Sequence, residues 1–199
     1  MSLYSLRNIQ NIHDIIIITR KKIFVKIQNE CKKRKYLKNK KFKFICLPKK
    51  TISPIHTLIK SKKKINFSNR LICIDNDLHF KSKEYKKKIQ AEYVDTVVPY
   101  FISKKPIYSY IKTHKDRVLS IKEKKVISSK AVAGSYFFKN AGDFFKHCNK
   151  AIKNKKKFIS DVVNLYLKNN KKVYCSKIDY YKSFGTPAEF KKSIINFNV

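Results

Sequence analysis

Glycine is nearly missing from this chain, with only three among 199 residues. Three dispersed glycines cannot build a Gly-rich loop that wraps backbone N–H groups around a phosphate. Acidic residues are also few: 13 Asp and Glu stand against 48 Lys and Arg, for a formal charge of +35. The five cysteines, Cys31, Cys46, Cys73, Cys148 and Cys175, are odd in number and show no C-x-x-C spacing. That argues against a disulfide framework and for a reduced, cytoplasmic setting. The five His are dispersed and suggest no metal cluster. The run Ile15–Ile18 falls far short of the roughly 20 apolar residues a bilayer span needs, and the first residues show no signal-peptide pattern. No membrane partner is expected.

What the chain does have is a globular content of hydrophobic residues, 43%, and enough length for one domain with a sizeable core. A single domain over residues 1–199 is expected. The positive charge raises nucleic acid as a partner. The excess is almost all Lys, however, scattered over nearly every segment alongside heavy use of Ile, Asn, Tyr and Phe. That profile matches genome-wide base bias, and no nucleic-acid motif accompanies it. Nucleic acid is therefore not the expected partner, and a basic nucleic-acid-binding protein is kept as an alternative.

The stretch RLICIDNDLHF, Arg70 to Phe80, organises the rest. Leu71-Ile72-Cys73-Ile74 is apolar without alternation, which suits a strand buried on both faces, as in a parallel sheet. It delivers Asp75-Asn76-Asp77 to the carboxyl edge, where open α/β folds bind ligands. Carboxylates are hard oxygen ligands, and phosphate-bound Mg²⁺ uses one or two of them. The plainer alternative is an Asp/Asn turn after a strand.

Around it, helix and strand patterns alternate. The first stretch, residues 1–14, reads as one helix. Asp14 to Arg20 reads as a buried strand, Lys21 to Leu37 as an amphipathic helix with a basic outer face, Phe42 to Leu47 as a second strand and Thr51 to Ile65 as a helix. Further strands are expected at Tyr93 to Phe101, Pro106 to Lys112, Arg117 to Lys125, Ala131 to Phe138 and Lys172 to Ile178. Helices are expected at Asp143 to Asn154 and Phe158 to Leu167. In FGTPAEF, Thr186 before Pro187 and Glu189 is a helix N-cap with Pro in the first turn. The pattern predicts an α/β fold: a mostly parallel open sheet with helices on both faces and a small mixed β region from Tyr93 to Ser135. The strands at 14–20, 42–47 and 71–74 are expected to be neighbours.

Taken in order, Asp14–Arg20, Thr51 to Thr57 leading to Lys60 and Lys62, RLICIDNDLHF, PIYSYIK, IKEKKVIS, AVAGSYFFKNAGDF, FISDVVNLYLKNNKKV and FGTPAEF resemble nucleotidyltransferases of the sugar-phosphate and phosphocholine type. The resemblance covers most of the chain. It implies a nucleotide-diphospho-sugar transferase-like fold, with a nucleoside triphosphate and a sugar phosphate or phosphocholine as partners. The products would be activated precursors for surface polysaccharide. It places Asp77 at the catalytic, Mg²⁺-binding aspartate, with Asp75 and Asn76 flanking it. Glu123 and Lys124 match a Glu-Lys pair that contacts the acceptor, Lys124 as a point charge on phosphate. Gly134 matches a glycine that lets the ligand approach the backbone, and Thr57 a position beside the nucleotide.

The departures carry equal weight. Relative to the family the chain lacks the N-terminal strand and the Gly-rich basic loop that grips the triphosphate. Ser53 stands at a family glycine, Lys156 at a common Glu, and Ser183 at a second metal Asp. The resemblance therefore implies an inherited fold with impaired activity, and a non-catalytic remnant or scaffold is the second alternative.

Overall fold

The computed structural model describes Ser5, Ile9 and residues 11–33 and 40–195. The helix expected over residues 1–14 falls largely outside these residues. β1 (Asp14–Arg20) runs into α1 (Lys21–Lys33), and residues 34–37 of the longer helix expected there lie outside the described set. β2 (Lys41–Leu47) follows, then α2 (Pro54–Ile59) and a single 3₁₀ turn (Lys62–Lys64). Pro54 starts α2 at the first turn, where its missing N–H costs nothing. The chain continues through β3 (Leu71–Ile74), β4 (Leu78–Lys81), α3 (Lys83–Lys88), β5 (Thr96–Ile102), β6 (Tyr110–His114) and β7 (Arg117–Lys122). It ends with β8 (Lys130–Val132), β9 (Ser135–Phe138), α4 (Ala141–Lys153), α5 (Ile159–Lys168), β10 (Val173–Lys177), β11 (Tyr180–Ser183) and α6 (Pro187–Ile194).

Seven strands form the main sheet, in the order β10-β7-β6-β8-β5-β9-β3, with β10 also paired to β5. Alternate residues of three of its strands enter different apolar clusters. Cys73, Tyr136, Phe138 and Val98 join one cluster, with Phe144, Phe145 and Cys148 of α4, Val162 and Tyr166 of α5, and Ile55 of α2. Ile72, Ile74, Phe137 and Val97 join the other, with Tyr85 of α3, Phe80 of β4 and Ile15 of β1. Strand side chains alternate between faces, so this sheet is covered on both.

The fold is α/β, and the mixed region from Tyr93 to Ser135 is present in β5–β8. The expected dominance of parallel pairing is corrected. Among the described residues only β1–β2 and β5–β10 pair parallel, while β3–β9, β5–β8, β5–β9, β6–β7, β6–β8, β7–β10 and β4–β11 pair antiparallel. The expected adjacency of three strands is corrected as well. β1 and β2 form a two-stranded sheet of their own, in register from Asp14↔Lys41 to Arg20↔Leu47. β3 joins the main sheet beside β9. The physical reason is that a non-alternating apolar run reports cover on both faces, and an antiparallel strand inside a covered sheet needs that as much as a parallel one.

Two strands expected as continuous are divided or shifted. Ala131–Phe138 breaks at Gly134, whose φ of +63° belongs to the left-handed region. The PIYSYIK strand begins only at Tyr110. The short elements β4, α3 and β11 were not foreseen. No helix among the described residues is long and apolar enough to cross a membrane.

Candidate functional site

β3 ends at Ile74 and hands the chain to Asp75, whose N–H donates to the Gly134 carbonyl at 2.9 Å. The left-handed turn at Gly134 brings that carbonyl in. A Cβ on Gly134 would stand 2.7 Å from Asp75 Oδ2 and 2.4 Å from Leu78 Cδ2, so only glycine lets the two segments approach this closely.

A second close approach lies at Asp77. Its carbonyl accepts from the Phe184 N–H at 2.7 Å, and a Cβ on Gly185 would meet Asp77 Oδ2 at 2.6 Å. The antiparallel pairing of β4 with β11 sets this contact, bringing Ser183 opposite Leu78. FGTPAEF thus forms one wall of the Asp77 site. Thr186 caps α6 by accepting from the Glu189 N–H at 3.2 Å, as the sequence predicted. Glu189 has a further role that sequence reasoning missed. Its carboxylate accepts from Tyr108 Oη at 2.6 Å and Ser183 Oγ at 2.9 Å. Although partial burial opposes it, these hydroxyl donors hold its pKa below the usual Glu value. Thr186 and Glu189 of that stretch were the available signal, but a capping box accounts for them without further structure.

Glu123 approaches from the end of β7. Its carboxylate accepts from Ser109 Oγ of the loop before β6, and from Ser160 Oγ of α5 at 2.9 Å. Neither serine was singled out in the sequence. Asp75, Asp77 and Glu123 form a single electrostatic group. Enclosure by surrounding protein, followed by the charges of Asp77 and Glu123, pushes the Asp75 carboxyl up to about 7. Asp75 still keeps surface open to solvent at the cleft. Tyr136 lies beneath; burial, followed by the charges of Asp75 and Glu123, pushes its phenol far up.

The structure therefore brings Asp75, Asp77, Glu123 and Gly134 together. Thr57 and Asn76 line a channel that also reaches Asp75. Thr57 Oγ1 is hydrogen-bonded to Thr51 Oγ1 and donates to the Ser53 carbonyl at 3.2 Å, and Ser53 Oγ bonds His56 Nδ1 at 2.8 Å. Lys124 is not drawn in. It sits exposed at a left-handed turn position, φ +50°, with its ammonium 5.9 Å from the centre of the Phe158 ring.

Among the described residues no group of three His, Cys, Asp or Glu side chains could hold a metal alone. The donor set still suits a hard cation that brings phosphate oxygens of its own. Asp75 and Asp77 offer oxygen, stand two residues apart, and appear in none of the ion pairs formed among the described residues, in a chain with 48 Lys and Arg.

Comparisons with known proteins fit this geometry. The chain is similar over 98% of its length to a nucleoside-diphosphate-sugar pyrophosphorylase from Vibrio cholerae RC9, with TM-score 0.84, 15% identity and 85% of that chain covered. It is similar over its full length to a putative glucose-1-phosphate thymidylyltransferase from Bacillus anthracis, solved with sucrose, with TM-score 0.79, 18% identity and 82% of that chain covered. The inositol-1-phosphate CTP transferase from T. maritima matches 94% of this chain, with TM-score 0.72, 10% identity and 76% of that chain covered. These likenesses establish a nucleotide-diphospho-sugar transferase-like fold. No curated protein matches. The family profile "Nucleotidyl transferase" matches residues 1–194, which is nearly the whole chain. The chain belongs to the nucleotidyl transferase family.

Proposed function

We propose that this chain binds a nucleoside triphosphate with Mg²⁺ at the carboxyl edge of β3 and takes a sugar phosphate as acceptor, with weak turnover as an isolated chain. In that reaction an acceptor phosphate oxygen bonds to the α-phosphorus while the bond from that phosphorus to pyrophosphate breaks. One observation carries the reading. Asp75 and Asp77 are carboxylates at a strand end with no ion pair among the described residues, and enclosure by protein, followed by the charges of Asp77 and Glu123, pushes Asp75 up to about 7, in a chain of charge +35. Crowded, unneutralised acids in a cleft mark a site awaiting a cation.

Asp77 and Asp75 are the residues that would hold Mg²⁺. The ion, when bound, neutralises phosphate charge. Gly134 lets the chain before β9 close against Asp75, where a side chain would collide. Glu123, fixed by two serine hydroxyls, presents a carboxylate in a set orientation on the acceptor side. Thr57 and Asn76 line the mouth where a nucleotide would enter. Lys124 is assigned to acceptor phosphate, which it would reach by leaving the Phe158 ring.

Weak turnover follows from what the three glycines do. Gly134 is spent against Asp75, Gly142 packs against Phe67 at the start of α4, and Gly185 is pressed against Asp77. None supplies a cradle of backbone N–H donors for a triphosphate, and losing one preorganised donor costs about 10²–10³ in rate.

The test incubates purified protein with Mg²⁺, each of CTP, UTP, TTP and GTP, and a panel of sugar phosphates plus phosphocholine, and measures pyrophosphate release and nucleotide binding. Weak Mg²⁺-dependent nucleotide binding with slow or absent release is expected. Fast release abolished by Asp77→Ala would retain the site and refute the impairment. No Mg²⁺-dependent binding of any nucleotide would refute the whole reading.

A further inference from the structure

Between β1 and β3 runs a channel of about 840 Å³. Well-packed interiors hold few voids larger than one water. The channel's middle is lined by Ile15–Ile18 of β1 and Leu71–Ile74 of β3, with Phe137 and Phe144 behind.

Among the described residues both walls are open strand edges: β1 pairs only with β2, and β3 only with β9. The direction of the unused backbone groups follows from two hydrogen bonds. Lys41 N donates to the His13 carbonyl at 2.9 Å, so the backbone groups of His13, Ile15, Ile17 and Thr19 point toward β2. Those of Ile16 and Ile18 point away from it. Asp75 N donates to the Gly134 carbonyl at 2.9 Å, so Cys73 and Asp75 face β9, and the groups of Ile72 and Ile74 point away. All four outward residues line the channel.

We infer that this channel is the docking slot for an extended apolar segment of another polypeptide, which enters as a β-strand and joins the two sheets. A small apolar molecule or a nucleotide fills volume but gives no backbone partner to the N–H and C=O groups of Ile16, Ile18, Ile72 and Ile74, which find none among the described residues; a strand supplies such partners along an edge. β3 presents four residues and β1 seven, so the paired stretch is four to seven residues long. Charge fixes its ends. The channel has Asp75 and Asn76 at the carboxyl end of β3, and Asn69 and Arg70 at its amino end, Arg70 being bridged to Glu92. The fitting segment is apolar and β-branched in the middle, with a cation at the end that meets Asp75. The inference needs only the two edges and does not depend on the nucleotide reading.

The test uses the full chain and no nucleotide. A fluorescein-labelled peptide, Lys-Val-Ile-Val-Ile-Ala-Glu with blocked termini, is titrated by anisotropy. Two controls are the same peptide N-methylated at every second residue and one with Glu at both ends. Amide hydrogen exchange is then mapped with saturating peptide. Binding is expected, at least tenfold weaker for the N-methylated peptide and several-fold weaker for the doubly acidic one. Protection should rise roughly tenfold at Ile16, Ile18, Ile72 and Ile74, while Ile15, Ile17 and Cys73, whose N–H groups are already committed, change little. Absence of binding, equal binding of the N-methylated peptide, or protection without that alternation would overturn the inference. So would sedimentation showing the chain alone as a dimer in which the same four amides are already protected, since the occupant would then be a second copy. Nucleotide binding measured separately keeps this result distinct from the test of the proposed function.

Discussion

The two sheets are built from similar letters and held very differently. In β5, Thr96, Val97, Val98 and Pro99 are buried in succession, and α4 behind the sheet buries six residues. In β1, DIIIITR, only Ile15 and Thr19 are buried, while α1 buries Cys31 alone and exposes Val25 at 63%. A run of isoleucines is thus not evidence of full burial. Ile16–Ile18 look like a core strand because they are one wall of a channel that is half built within the described residues. Burial is concentrated in the main sheet and its helices, and the β1–β2 layer packs against it through Ile15, Ile17 and Phe42.

The sharpest break of that contrast is a pair of truncations. Phe138 is fully buried, with its ring 4.5 Å from Phe144 and 5.3 Å from Tyr166. Phe138→Ala should cost about 3–5 kcal/mol in urea unfolding. Ile17→Ala in the β1–β2 layer should cost about 1 kcal/mol or less, since much of its surface already faces the channel. Equal losses would mean that the two layers share one core.

A smaller effect is expected where the site meets the main sheet. Gly134→Ala adds a methyl 2.4 Å from Leu78 Cδ2 and 2.7 Å from Asp75 Oδ2, at a φ of +63°. Strain and overpacking together should cost about 2–3 kcal/mol. A cost near zero would show that β3 and β9 can move apart at Asp75, which would also undo the site.

How much of this was legible in the sequence divides along the same line. The runs at 14–20, 71–74 and 173–177 were readable as apolar stretches with polar residues at their ends, and the helices α4 and α5 because apolar period and length agree there. Pairing partners were not readable. β3 lies beside β9, more than sixty residues away in sequence, and nothing in LICI distinguishes that neighbour from β1. The acids Asp75 and Asp77 were legible because two carboxylates after an apolar strand are unusual in so basic a chain. Ser109, Ser160 and Glu189 were not, since hydroxyls and a capping Glu are common and become site elements only when β6, α5 and β11 fold against them. The short elements β4, α3 and β11, at four to six residues, are below the length at which periodicity speaks.

A pH experiment separates the site from its scaffold. Asp75 is pushed up to about 7 in the folded chain, against an ordinary value of 3.8. The folded state therefore binds this proton more tightly than the unfolded state does. Stability from this group is full below about pH 3.8, falls as pH rises, and is lost above about 7. Asp75→Asn removes the penalty. It should be more stable than the parent at pH 8 by about 1 kcal/mol after discounting for the solvent that reaches Asp75, or about 2–4 °C in Tm. The two should coincide near pH 4. Saturating Mg²⁺ at pH 8 should narrow the gap in the parent, if Asp75 and Asp77 take the ion. A variant no more stable at pH 8 would mean that Asp75 is neither enclosed nor crowded by Asp77 and Glu123 in solution.

The smallest expected effect concerns Lys124. The sequence resemblance assigns it to acceptor phosphate; the structure places its ammonium 5.9 Å from the centre of the Phe158 ring, on an exposed turn. An exposed cation–π contact is worth about 0.5–1 kcal/mol, and the left-handed φ of +50° works against any residue with a Cβ. Lys124→Gly should thus leave stability within about 0.5 kcal/mol, the lost contact offset by the relieved backbone. Its effect on chemistry is the informative part. A residue that only shields Phe158 predicts unchanged nucleotide binding and unchanged pyrophosphate release. A phosphate ligand predicts unchanged nucleotide binding with a raised KM for the sugar phosphate, rescued by Lys124→Arg but not by Lys124→Gln. The second pattern would mean that Lys124 turns from Phe158 into the cleft when acceptor arrives, and that the apo geometry understates how complete the site is.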